Sequence, residues 1–169
     1  MRLPDSFSFR RRPRGVFKWV LRLPVYLFRF RLGFLLGDRF LLITHVGRCS
    51  GTLHDTPVEV VVHDADTREY VVCSGTGPQA DWYRNLQAKP VRRVQVGNRR
   101  WVPDQRMLDD VESAARFAEY ELAHPRAAER LLDAMGNSYD GTAAGRVAMM
   151  ADMPMVAFSV DGPPAVSDL

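Results

Sequence analysis

The sequence contains few cysteines, and their positions match no metal-binding or disulfide pattern. Its 169 residues include only Cys49 and Cys73, which do not form a C-x-x-C motif. A secreted disulfide scaffold and a structural zinc site are therefore disfavoured, and a reducing cytoplasm is the expected compartment. The four histidines also lack the i, i+4 spacing of a helical metal pair. We accordingly expect no metal site.

Signatures of several enzyme classes are also missing. The chain has no Gly-x-Ser-x-Gly sequence, which removes the usual signal for a hydrolase nucleophile, and it has no Walker lysine pattern. Its strand-like segments follow one another in hairpin order and do not alternate with long helices. That order disfavours a doubly wound Rossmann sheet.

No uninterrupted apolar run is long enough for a signal peptide or a spanning helix. Residues 17–36 are rich in large apolar side chains, but four basic residues and Pro24 interrupt them. We expect residues 1–36 to form a basic, partly mobile arm with an amphipathic helix. This helix either packs on the domain or makes a peripheral contact with the inner face of the cell membrane.

Positive charge is concentrated at the start of the chain. The net charge is +3, yet residues 1–39 carry ten Lys or Arg against two Asp, which leaves −5 for the rest. Such an arm suggests an anionic partner: nucleic acid, an anionic membrane surface or an acidic cofactor tail. Nucleic acid is disfavoured because the arm lacks a recognition helix or an aromatic platform.

The remaining composition is that of one ordinary globular domain, with 46% hydrophobic and 25% charged residues. Hydrophobic patterning predicts about six strands and two or three short helices, an α+β fold that is mainly β. We expect a small antiparallel barrel over residues 37–162 with helices packed outside it, followed by a tail at 163–169. The predicted strands are residues 40–46, 56–62, 70–73, 91–96, 99–103 and 155–160, with residues 47–55 as a loop. The predicted helices are residues 81–88, capped by Asp81; residues 110–123, with Asp109 at the positive end of the helix dipole; and a third that has Pro125 in its first turn and is stopped by Gly136.

Two glycine-containing loops are the best candidates for a binding site. Residues 47–51 read Gly-Arg-Cys-Ser-Gly, and residues 74–77 read Ser-Gly-Thr-Gly. Glycines let the backbone approach a ligand, and a guanidinium suits phosphate or carboxylate. The alternative is that residues 47–51 are an ordinary polar loop and that Trp82 and Tyr83 only fill the core.

The ordered set of motifs resembles the deazaflavin (F420)-dependent nitroreductase and quinone reductase family of actinobacteria. The motifs are LLITHVGRCSG at 41–51, TPV at 56–58, Ser74, DWYRNLQAKP at 81–90 and VQVG at 94–97. The resemblance implies a split β-barrel related to FMN-binding proteins, with F420 as cofactor. It also implies hydride transfer from reduced F420 to a small-molecule electron acceptor such as a quinone, nitro or enone compound.

The resemblance further implies which residues contact the cofactor. They lie in four segments: Arg48, Cys49 and Ser50 at the phosphate region; His54, Asp55, Thr56, Pro57, Val58 and Glu59 beside the ring; Cys73, Ser74 and Gly75 bordering it; and Trp82, Tyr83, Arg84, Asn85 and Leu86 closing the site. The proton for the product comes from water, from Tyr83 or from a residue of the 120–140 segment such as Tyr139, and the sequence leaves these sources open.

Cys49 departs from the family pattern, which often has lysine at this position. The missing ammonium removes attraction for an anionic cofactor, so FMN stays an alternative to F420. The competing function is a non-catalytic protein of the same fold that binds a flavin, a deazaflavin or a lipid. A homodimer is expected by analogy with other small split barrels.

Overall fold

The computed structural model describes residues 37–163. The predictions for the basic arm and its amphipathic helix at residues 1–36, and for residues 164–169 of the tail, lie outside the described residues. Within the described range the chain forms seven strands and four helices. The strands are β1 (Phe40–Val46), β2 (Leu53–Asp64), β3 (Glu69–Cys73), β4 (Arg93–Val96), β5 (Arg99–Trp101), β6 (Gln105–Met107) and β7 (Met155–Ser159), and the helices are α1 (Asp81–Ala88), α2 (Asp110–Ala123), α3 (Pro125–Met135) and α4 (Ala143–Met150).

The strands form one antiparallel sheet in the order β5-β4-β1-β2-β3-β7-β6. β1 lies near its middle and pairs with β2 from Phe40 opposite Glu59 to Val46 opposite Leu53. The two edge strands, β5 and β6, are consecutive in sequence, and the indole N–H of Trp101 on β5 donates to the carbonyl of Ser159 on β7 at 2.7 Å. The sheet therefore curls into a half-barrel, which confirms the predicted α+β split-barrel fold.

The sheet buries an apolar cluster on each side. One cluster fills the barrel and includes Leu41, Ile43, Trp101 and Phe158. The other lies between the sheet and the helices and centres on Phe117 of α2 and the methionines at 149, 150, 153 and 155. Both faces of β1 are covered, which explains its nearly continuous run of apolar residues.

Local signals placed two helices correctly. The Asp109 carboxylate accepts from the backbone N–H of Glu112 at 2.8 Å and caps α2. Gly136 adopts a φ of +69° after α3, the left-handed conformation that commonly ends a helix. The bounds predicted for α2 and β1 are those observed.

Other predictions about the elements were wrong. β2 begins at Leu53, so residues 53–55 belong to a strand where a loop was predicted. Strand β6 and helix α4 were not predicted, which raises the counts above six strands and three helices. β4 begins at residue 93 and β5 ends at residue 101, so both strands are shorter than expected.

Asp81 does not cap α1. Ala80 occupies the cap position, and no side chain accepts a hydrogen bond there. Asp81 is the first helical residue instead, and its carboxylate turns to Arg48.

Candidate active site

A cavity of about 550 Å³ lies between the loop at residues 47–51 and the first turns of α1. The floor is formed by the end of β1 and the start of β2. This volume is in the range of small-molecule and cofactor sites. The lining residues are His45, Gly47, Arg48, Cys49, Ser50, His54, Asp55, Thr56, Thr76, Ala80, Asp81, Trp82 and Asn85.

The loop at residues 47–51 is a tight turn held by its own backbone. The N–H of Gly47 donates to the Thr52 carbonyl, and the N–H of Gly51 donates to the Gly47 carbonyl at 2.9 Å. A Cβ at Gly47 would collide with the Ser50 hydroxyl and the His54 ring, so glycine lets these two side chains pack close to the loop. In the described part of the chain, the backbone N–H groups of Cys49 and Ser50 make no hydrogen bond.

Arg48 joins this loop to α1. Its guanidinium donates to the Asn85 side-chain oxygen at 2.9 Å, to an Asp81 carboxylate oxygen at 2.9 Å and to the Asp81 carbonyl at 3.4 Å. Its backbone N–H donates to the same Asn85 oxygen at 3.0 Å. These contacts set the width of the cavity. Three guanidinium N–H groups donate to α1; of the five that arginine has, the other two have no partner within residues 37–163.

Two polar side chains continue from Asn85 along the cavity floor. The Asn85 amide nitrogen lies 3.1 Å from Nδ1 of His45, and Nε2 of His45 lies 3.0 Å from the Thr56 hydroxyl. Beside them the Thr44 hydroxyl donates to Asp55 at 2.7 Å. Burial, followed by the neighbouring His54 charge, lowers the pKa of His45 below its usual 6.5, while Asp55 and Asp81 act in the opposite direction.

The second glycine loop contributes less to the cavity than the first. Ser74 is fully buried, and its hydroxyl donates to the Gly77 carbonyl at 2.7 Å. The Cys73 thiol lies 3.6 Å from the Met153 carbonyl, and burial raises its pKa to about 12. Thr76 is the residue of this loop that lines the cavity.

The aromatic residues of α1 separate into two roles. Trp82 is half-buried: it packs against the barrel core and also lines the cavity. Tyr83 and Leu86 belong to the core and do not line the cavity. Tyr139 lies on the helical side of the molecule, where its hydroxyl donates to Glu121 at 2.7 Å and accepts from Arg146 at 3.0 Å. Neither candidate proton donor lines this cavity.

The structure brings eight of the 17 predicted cofactor residues together around the cavity. Those that line the cavity are Arg48, Cys49, Ser50, His54, Asp55, Thr56, Trp82 and Asn85. Those that do not line it are Pro57, Val58, Glu59, Cys73, Ser74, Gly75, Tyr83, Arg84 and Leu86. Sequence reasoning missed His45, because a single histidine inside an apolar strand carries no motif signal.

Residues 37–163 contain no group of three or more His, Cys, Asp or Glu side chains placed to hold a metal ion. Over the same range, no helix combines the length and the apolar character needed to cross a membrane.

Comparisons with solved structures give low identities. An F420-H2 dependent reductase (FDR-A) is 22% identical, with 73% of this chain and 96% of that chain covered and a TM-score of 0.48. A structure described as a domain-swapped dimer is 20% identical, with 86% and 100% covered and a TM-score of 0.49. An FMN-binding protein from Nostoc punctiforme, related to pyridoxamine 5'-phosphate oxidase, is 12% identical, with 89% and 83% covered and a TM-score of 0.50; it supports the fold.

The comparison with curated proteins gives no significant match. The family model for F420H2-dependent quinone reductase matches residues 31–131, more than half of the chain and all of the cavity-lining residues. This match confirms the resemblance found in the sequence: the chain belongs to the F420H2-dependent quinone reductase family.

Proposed function

We propose that this protein binds F420 in the cavity between residues 47–51 and α1, and that it reduces an electrophilic small molecule. The observation that carries the proposal is the open cavity itself, framed by the Arg48–Asn85 contacts and lined by Trp82. When bound, reduced F420 would supply a hydride to a quinone, nitro or enone acceptor.

The donors at residues 48–50 fit the anionic group of a flat cofactor. Two carboxylates also line the cavity: Asp81 is paired with Arg48, and Asp55 accepts from the Thr44 hydroxyl. The backbone N–H groups of Cys49 and Ser50, which have no partner among the described residues, would donate to a phosphate or carboxylate oxygen. The two guanidinium N–H groups of Arg48 that do not donate to α1 would add charge-assisted donors. Gly47 removes the side chain that would otherwise fill this corner. The half-buried Trp82 offers an apolar face beside the ring.

The chain's own contribution to the reaction is to hold the two reactants in contact. A proton for the product comes from solvent in this proposal, because Tyr83 is in the core and Tyr139 is bonded to Glu121. We therefore expect the Tyr83→Phe and Tyr139→Phe variants to keep a turnover number within about threefold of the wild type, a smaller loss than removal of a general acid gives. A roughly hundredfold lower turnover number in either variant would show that the replaced tyrosine is the proton donor.

The direct test is anaerobic oxidation of reduced F420 with a quinone, a nitro compound and an enone, followed by the return of deazaflavin absorbance. We expect turnover with at least one acceptor. The Trp82→Ala variant should weaken F420 binding, and the matched Gln87→Ala variant, at an exposed position of the same helix, should not. F420 binding without oxidation by any acceptor would instead favour the non-catalytic binding protein.

Cofactor choice is tested by titration with F420 and with FMN, following fluorescence quenching. We expect tighter binding of F420. Replacement of Cys49 by lysine should strengthen it further, since the ammonium adds attraction for an anionic tail. Stronger binding of FMN would make this chain a flavin-dependent member of the fold. A homodimer stays a prediction, which the mass in solution would test.

A further inference from the structure

His45 is a buried histidine in the floor of the candidate cavity. It is only 3% exposed, and both ring nitrogens are within hydrogen-bond distance of a polar side chain. Nδ1 faces the amide nitrogen of Asn85, and Nε2 faces the hydroxyl of Thr56. The direction of these two hydrogen bonds follows from the contacts of Arg48.

Arg48 fixes the orientation of the Asn85 amide. Its backbone N–H and its guanidinium both donate to the Asn85 oxygen, so that oxygen is the acceptor end of the side chain. The other end, the amide nitrogen, is a donor and lies 3.1 Å from His45 Nδ1. Nδ1 must therefore be the unprotonated nitrogen that accepts.

The histidine in turn fixes the Thr56 hydroxyl. A neutral imidazole without a proton on Nδ1 carries it on Nε2, which then donates to the Thr56 oxygen at 3.0 Å. The Thr56 hydroxyl proton and the second Asn85 amide proton are not used in these hydrogen bonds, so both are available to a ligand. Both side chains line the cavity.

We infer that His45 is a positioning residue: as the neutral Nε2–H tautomer it aligns Asn85 and Thr56 so that the cavity floor offers hydrogen-bond donors to the accepting edge of a ligand. The inference rests on the proposed function for the identity of that ligand. Ring carbonyl oxygens of a deazaflavin are acceptors of this kind. The structure by itself supplies the direction of each hydrogen bond.

Protonation of His45 would break the series of hydrogen bonds. A charged imidazole has N–H on both nitrogens, so Nδ1–H would face the N–H of Asn85. An amide flip would only move the conflict to Arg48, whose two donors would then face an amide nitrogen. The charges that act on His45 are those of His54 and Asp55 from β2 and of Asp81 from α1, and the Arg48 guanidinium contacts its neighbour Asn85.

The first experiment uses the full chain without cofactor and reads the His45 ring by nitrogen-15 NMR. We expect the neutral Nε2–H tautomer near neutral pH, with protonation only below the ordinary histidine range. The exposed His124 gives an internal comparison. An Nδ1–H tautomer, or a charged His45 ring at about pH 7, would overturn the inference whether or not the protein binds F420.

The second experiment measures the dissociation constant for F420 between about pH 5 and about pH 8 in matched variants. Wild type and His124→Gln should bind more weakly at the acid end. His45→Gln can accept from Asn85 and donate to Thr56 without titrating, so its affinity should lose that acid-side fall. His45→Leu keeps the volume but not the polarity, and should bind about tenfold more weakly across the range.

The two failures are distinguishable. An acid-side fall of equal size in wild type and His45→Gln would refute the positioning role while leaving F420 binding intact. Absence of F420 binding in wild type, with the neutral Nε2–H tautomer seen by NMR, would refute the proposed cofactor and keep the assignment of the His45 hydrogen bonds.

Discussion

The amide of Asn85 offers the sharpest test of how the cavity is built. It is 4% exposed and takes part in three hydrogen bonds: two accepted from Arg48 and one donated to His45. The Asn85→Leu variant keeps a similar volume on the same helix but removes all three. It leaves the Arg48 N–H and His45 Nδ1 without a partner in a buried place.

The expected cost follows from those contacts. Each buried polar group left without a partner costs about 1–3 kcal/mol. The guanidinium contact contributes little more, because the Arg48 side chain is 26% exposed and water can replace Asn85 there. Burial of the apolar leucine side chain offsets a small part of this loss of stability. We expect the free energy of unfolding to fall by about 2–4 kcal/mol, a substantial share of the 5–15 kcal/mol typical of a domain.

The assay is urea unfolding, with the control Gln87→Leu. Gln87 is an exposed amide on the same helix, so its replacement should change stability by no more than about 0.5 kcal/mol. With a slope of about 2 kcal/mol/M, Asn85→Leu should lower the urea midpoint by about 1–2 M. Equal midpoints for the two variants would refute the structural role assigned to Asn85.

Three further predictions concern other parts of the domain. Gly47→Ala should weaken F420 binding with a stability loss of only about 1 kcal/mol, because the new Cβ displaces the movable side chains of Ser50 and His54; a normal dissociation constant would contradict this. A thiol reagent should modify the exposed Cys49 in the folded protein and reach Cys73 only on unfolding, and equal rates would be the opposite result. The backbone N–H of Thr67 is the main cause that lowers the pKa of Asp64 from 3.8 to about 2. The ionised Asp64 carboxylate therefore stabilises the folded protein fully above the pKa it has in the unfolded chain, and this stabilisation is lost as pH falls toward 2. The urea midpoint of wild type should therefore fall more steeply over that range than that of Asp64→Asn; parallel curves would disprove it.

Several elements could be read from the sequence because their signals are local. The Asp109 cap and the Gly136 terminus lie within a few residues of the helices they bound. The short strand β6 could not be found that way, since three residues become a strand only by pairing with β7. The polar start of β2 resembles a loop in sequence, yet its backbone completes the ladder with the end of β1.

In the candidate site, too, some features follow from local sequence and others only from tertiary contacts. The sequence by itself determined that a glycine-containing loop follows a buried strand and that α1 carries Trp82 and Asn85. Only the tertiary structure decided that Arg48 uses three of its five guanidinium N–H groups in hydrogen bonds to α1, and that His45 accepts a hydrogen bond from Asn85. The direction of these hydrogen bonds depends on contacts of Asn85 with Arg48 and His45, which are 37 and 40 residues away in the chain. No local sequence pattern predicts a contact between residues so far apart.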